Sequence, residues 1–207
     1  MTKKDRTDEK GDRELVEELV CSPCGLMLDP IPTGIDPTPD YGILKYAELR
    51  AYCEMKSPRD DELLDALQAE RESNPTAPVV GASIIRDKNV AARNLAGHVK
   101  DAVRQFNAVN RDHALPNVMV LVNHADGWHA GDLREALTGH FYADDGKAYA
   151  TEVETARKIG PHRIEKIDLY IWIDTKSGTM AFIQNNGPHD AAIKDLFLPI
   201  LRQARGV

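Results

Sequence analysis

Val118-Met119-Val120-Leu121-Val122 is an unbroken apolar run, and it constrains the fold more than any other segment of the chain. In a strand, successive side chains point to opposite faces, so a strand that is apolar at every position needs cover on both sides. The run therefore predicts a central strand with a layer of helices above and below it. The neighbouring patterns supply both kinds of partner.

Helical spacing is clearest over about 90–109, where Leu95, Val99, Ala102, Val103, Phe106 and Val109 form one apolar stripe. A shorter helix is predicted over 13–20, where Leu15, Val16, Leu19 and Val20 alternate with Glu14, Glu17 and Glu18. Further helices are expected over 60–72, over 132–137 (ending at Gly139), and from about Pro188 to the end, with Pro199 kinking or splitting the last. Strands are expected from Leu26, over 41–46, 49–56 and 79–85, and as a late pair, 167–174 and 179–184, joined by Thr175-Lys176-Ser177-Gly178. Asp144-Asp145-Gly146 reads as a turn or hairpin tip. The order predicts an α/β or α+β sandwich, with helices flanking a central mixed β-sheet. A length of 207 residues suits one domain. Its expected extent is 13–207, with a core over about 13–125 and a C-terminal hairpin and helix over 163–207, after a disordered polar tail at 1–12.

The segment 49–56 has a clean period of two. Leu49, Ala51, Cys53 and Met55 point one way, and Arg50, Tyr52, Glu54 and Lys56 the other. Glu54 and Lys56 thus share a face, about 7 Å apart along the strand. Asp40 stands after Pro39 at the end of a loop of four prolines and a glycine (29–40), and a hairpin-like return would set it beside Glu54. Two carboxylates and a lysine gathered in apolar company are costly unless a cation joins them. A divalent metal with an activated water and a nearby cation is also what phosphodiester hydrolysis requires.

Pro39-Asp40 with Glu54-Met55-Lys56 resembles the signature of the PD-(D/E)xK nucleases, a superfamily with a restriction endonuclease-like fold. That core runs helix, three-stranded meander, helix, strand, and the segments from Glu14 to Val122 follow the same order. The resemblance implies that Asp40 and Glu54 bind Mg²⁺, or Mn²⁺ in its place, and that Lys56 assists the attacking water. It also implies a further acidic ligand from the first helix, for which Glu14, Glu17 and Glu18 are candidates and Glu18 is preferred. Gln105 on the second helix would lie near the site. A second acid-x-lysine, Asp174-Thr175-Lys176 with Asp168 upstream, is explained by the chemistry of the turn it enters.

DNA is the expected partner, although the formal charge of −7 opposes binding to phosphates. The charge is uneven: between Arg86 and Arg111 six basic residues face two acidic ones, so Lys100 and Arg104, with Gln105 beside them, are candidate DNA contacts. A solvated helix face accounts for the same pattern. A homodimer mate or a protein partner would supply basic surface, and a catalytically inactive nuclease-fold binding module is the alternative to an enzyme. Three cysteines argue against a disulfide framework, and Cys21-Ser22-Pro23-Cys24 is half of a zinc or redox motif whose other half is missing. No apolar run approaches membrane-spanning length, and the polar start does not read as an export signal, so a cytoplasmic location is expected. Asn123, His124, Asp126, Trp128 and His129 crowd one loop, where capping of the next helix competes with an acid-base or metal role. Tyr170 and Trp172 are expected to pack against the last helix rather than stack on bases.

Overall fold

The computed structural model describes residues 3–32, 34, 37–59, 88–125, 128–143, 146–151 and 159–203. The helix expected over 60–72 and the strand over 79–85 lie outside them, as does Asp126.

The first helix, α1 (Lys3–Val16), starts ten residues earlier than its apolar pattern suggests. Polarity made that stretch read as a disordered tail. Its helicity is supported instead by ion pairs one turn apart, Lys10 to Glu14 and Arg13 to Glu17, and by burial of Asp12. The chain then tightens through a π-helical turn (Glu17–Cys21) and a 3₁₀ turn (Ser22–Cys24), which stops at Gly25 with φ of 64°. Only glycine adopts that left-handed conformation at little cost.

Three antiparallel strands follow as a meander: β1 (Met27–Pro30), β2 (Tyr41–Lys45) and β3 (Glu48–Lys56). The long helix α2 (Lys88–Val109) leads to β4 (Asn117–Asn123), which lies parallel to β3 with Glu54 opposite Met119. Next come α3 (Ala130–Thr138), a separate ribbon of β5 (His140–Tyr142) and β6 (Ala148–Ala150), and the short α4 (Pro161–Ile164). β7 (Leu169–Asp174) runs parallel to β4, and β8 (Met180–Gln184) returns antiparallel to β7. The last helix, α5 (Asp190–Gln203), continues through Pro199 as one element, so of the kink or split expected there the split does not occur.

The sheet order is β1-β2-β3-β4-β7-β8, a mixed α/β arrangement. Every residue of β4 is buried, as its apolar run requires. On one face Leu95, Val99 and Phe106 of α2 pack on Met119, Leu121, Tyr170 and Trp172. On the other, Val16 and Val20 join Cys53, Val118, Val120, Ile171 and Phe197. Each large side chain so buried contributes on the order of 2 kcal/mol. Tyr170 and Trp172 are therefore packed as expected, but against α2 and not against the last helix. Their even-numbered register puts them on the face opposite α5, whose Ile193 and Phe197 meet Ile171 and Ile173.

This topology sends the C-terminal ends of β3, β4 and β7 to one end of the sheet, where parallel α/β sheets leave a crevice for ligands. We refer to it as the upper end.

Candidate functional site

At the upper end the meander does what the alternation of 49–56 anticipates. Tyr41 pairs with Cys53, so Asp40 stands level with Glu54 on the neighbouring strand. The Asp40 N–H donates to Glu54 Oε2 at 3.1 Å, and the Met55 N–H donates to Asp40 Oδ2 at 2.9 Å. The two acids thus complete the β2–β3 ladder with their side chains. Lys56 turns to the same face as Glu54, its Nζ 2.5 Å from Glu54 Oε1, and reaches Gln105 Oε1 at 3.5 Å. Gln105 in turn donates from Nε2 to Thr38 O at 3.0 Å, tying α2 to the loop before Asp40.

Glu54 is 0% exposed, yet its Oε1 accepts no well-directed hydrogen bond. Its one close partner there is the Lys56 ammonium, which balances charge without relieving the burial. Burial first, and the Asp40 carboxylate second, raise the Glu54 carboxyl from 4.5 to about 7, against the pull of Lys56. Burial likewise raises Asp40, while the Met55 N–H, Lys56 and Glu54 act the other way. Thr38 Oγ1 is also buried without a partner. Two acids whose protonation is favoured form a pair of hard oxygen donors suited to a divalent cation.

His98 was not singled out by sequence reasoning, yet it belongs to this neighbourhood. Its pKa is lowered by burial and then by Lys56, which keeps the imidazole neutral near pH 7. A histidine on the buried side of an amphipathic helix gives no signal in sequence until its sheet partner is known.

The other candidates are placed as follows. Glu18 is exposed on the π-helical turn, and Glu14 is exposed on α1, while Glu17 binds Arg13. The acid that α1 buries at the upper end is Asp12, at 4% exposure, on the opposite face from Glu54. It accepts from Ser57 Oγ and pairs with His124 Nε2 at 2.7 Å. Burial opposes that charge, but the bonds from His124 and Ser57 hold the Asp12 carboxyl below its usual range. Lys100 and Arg104 are exposed, and Arg104 pairs with Asp101 at 3.2 Å.

Asp174 is taken up by its turn: Oδ1 accepts from the N–H groups of Lys176 and Ser177 and from Ser177 Oγ. Those bonds, the Ser177 N–H foremost, lower its pKa. In the loop after β4, Asn123 Nδ2 donates to Ala125 O and Trp128 O, and the His129 N–H donates to Asp132 Oδ2 at the start of α3. The Asn123 bonds hold the loop, and the last caps the helix. Burial pushes the Cys21 thiol up to about 12 and raises Cys24 as well, which disfavours the thiolates a zinc or redox role would need. A cleft of about 430 Å³, lined by Arg134, Phe141, Tyr142 and Phe182 among others, lies by the β8 edge and contains no residue of the Asp40 cluster.

No family model matches this chain, and neither the curated proteins nor the solved structures hold a match to it. Among the described residues, no helix is long and apolar enough to cross a membrane.

Proposed function

We propose that this protein is a divalent-metal-dependent nuclease that hydrolyses DNA phosphodiester bonds at Asp40, Glu54 and Lys56. The observation that carries this reading is the burial of Glu54 against Asp40, with a carboxyl raised to about 7 and an oxygen that lacks a well-directed hydrogen bond. A structural ion pair has no need of the second acid, which makes the first harder to ionise. The order of helix, antiparallel meander, helix and parallel strand further supports the PD-(D/E)xK resemblance.

In this reading Asp40 and Glu54 would hold Mg²⁺ or Mn²⁺, which lowers the pKa of bound water and offsets charge developing on the phosphate. Lys56 would orient the nucleophilic water and face the anionic phosphate. Gln105 fixes the lysine from α2 and ties that helix to the loop carrying Asp40. Exposed Lys100 and Arg104 of α2 are available to DNA phosphates. With a net charge of −7, a dimer mate or protein partner supplies further basic surface. The same net charge favours the second reading, an inactive nuclease-fold module within a larger assembly.

Incubation with plasmid, single-stranded and branched DNA in Mg²⁺ or Mn²⁺ separates the two. Cleavage by the wild type is expected, falling on the order of 10²–10⁴-fold in Lys56→Ala and in Glu54→Gln. Cleavage that persists in both variants assigns the activity elsewhere. Its absence on every substrate favours the binding module.

A further inference from the structure

The lower end of the sheet, opposite the proposed nuclease site, gathers three segments far apart in sequence. His113 lies in the loop between α2 and β4, Asp168 immediately precedes β7, and His189 immediately precedes α5. Their ligand atoms all lie within 4.8 Å of one another. We infer that these three residues form a binding site for a first-row transition ion of the Zn²⁺ class, which clasps the three segments together. The inference does not depend on the nuclease reading.

The donor set defines the class of ion. Two imidazoles and one carboxylate suit zinc and its neighbours, whereas Mg²⁺ and Ca²⁺ prefer all-oxygen shells. Bonds of about 2.0–2.2 Å at tetrahedral angles set two ligands of one ion roughly 3.4 Å apart, so the widest pair of the cluster closes with a shift of at most roughly 1.4 Å.

The surroundings are built to present these groups. His113 adopts φ of 50°, a conformation that non-glycine residues rarely take. The loop is held there by Asn110, whose Oδ1 accepts from the N–H groups of Ala114 and Leu115 and whose Nδ2 donates to Leu115 O and Asn117 Oδ1. Asp168 is 2% exposed, and its Oδ2 accepts the Asn117 N–H at 2.8 Å while meeting His113 Nε2 at 2.7 Å. A cation would take the place of the proton shared by His113 and Asp168. Asp168 Oδ1 faces Gly187, where a Cβ would come to 3.7 Å, so no side chain crowds that oxygen from this turn. His189 Nε2 lies 2.7 Å from His113 O. That carbonyl can only accept, so Nε2 carries the hydrogen and Nδ1 is left with the lone pair a metal needs. Such bonding to the far nitrogen is how metal-binding imidazoles are oriented. The two rings meet edge to face with centroids 4.8 Å apart.

Three ligands leave a fourth position for water. The site lies at the N-terminal ends of β4 and β7, away from the crevice where chemistry is expected, and its role is to fasten the loops.

Calorimetric titration of chelator-treated protein with Zn²⁺, and its visible spectrum with Co²⁺, test the site. One equivalent is expected in the wild type and in Glu54→Gln, with a four-coordinate cobalt spectrum free of thiolate charge transfer. His189→Ala, in which the half-buried ligand is removed, is expected to weaken binding on the order of 100-fold while leaving the far-UV spectrum intact. Asp168→Asn provides a second variant with the same expectation. Binding unchanged in both variants, a thiolate band, or no Zn²⁺ bound by the folded protein overturns the assignment. A site lost in Glu54→Gln but kept in His189→Ala overturns it too, and moves the ion to the upper end.

Discussion

The two ends of one sheet bury polar groups in opposite ways. At the lower end, Asp168 receives a backbone N–H and an imidazole, and Asn110 makes four hydrogen bonds to Ala114, Leu115 and Asn117. What deviates there is the backbone, at His113. At the upper end the backbone is regular, and the deviation is electrostatic: Glu54 is buried beside a second acid, with one oxygen lacking a well-directed hydrogen bond. Natural sequences break local rules where function requires it, and the kind of rule broken indicates the kind of function. Satisfied groups on a held backbone fasten loops, whereas an acid kept near its protonation point is poised to accept a cation.

Neutralising one carboxylate at each end should give stability changes of opposite sign. The larger effect is expected from Glu54→Gln without metal. With a carboxyl raised from 4.5 to about 7, the folded state holds a proton there that the unfolded state has already lost. That acid therefore weakens the fold progressively as pH rises from about 4.5 through 7, and not below. At about 1.4 kcal/mol per pKa unit, the variant should gain up to about 3 kcal/mol over wild type at pH 8 and little at pH 4. Mg²⁺ should shrink the difference. Urea denaturation at the two pH values measures it, and a destabilised Glu54→Gln at pH 8 would end the contrast.

Asp168→Asn is expected to lose about 2 kcal/mol at pH 7 in the same assay, because both hydrogen bonds to the charged Oδ2 become weaker bonds to a neutral amide oxygen. A neutral or stabilising result would mean that the lower end is no better satisfied than the upper.

The smallest expected effect concerns the lower-end turn between β2 and β3. Tyr46 and Ala47 carry φ of 56° and 63°, the two positive values of a type I′ hairpin. Ala47→Gly should stabilise by about 0.5 kcal/mol, the relief of left-handed strain less the greater freedom of the unfolded chain. Thermal unfolding checks the gain, and cleavage rates should not change. A changed rate would show that the two ends are coupled through β3.

What the sequence revealed follows from period and reach. The β3 alternation is local, so it placed Glu54 and Lys56 on one face, and the Pro-rich return brought Asp40 level with them. The apolar run of β4 located the centre of the sheet for the same reason. Asp12 was hidden because its helix is polar up to that point and its partners, Ser57 and His124, lie 45 and 112 residues away. Glu18 was a choice among three acids on one helical stretch, and spacing could not tell which side met the sheet. His113, Asp168 and His189 meet only through the parallel register of β4 and β7, which no local pattern encodes.

The paired bonds, from the Asp40 N–H to the Glu54 carboxylate and from the Met55 N–H to the Asp40 carboxylate, mean that each of these two acids has two uses. Each is a rung of the ladder as well as a candidate ligand, so a lineage that had abandoned catalysis would still gain by keeping them. Among the described residues, the Lys56 side chain bonds to the side chains of Glu54 and Gln105 and to no backbone group. In the nuclease reading, the lysine is therefore the residue whose loss would mark a retired enzyme.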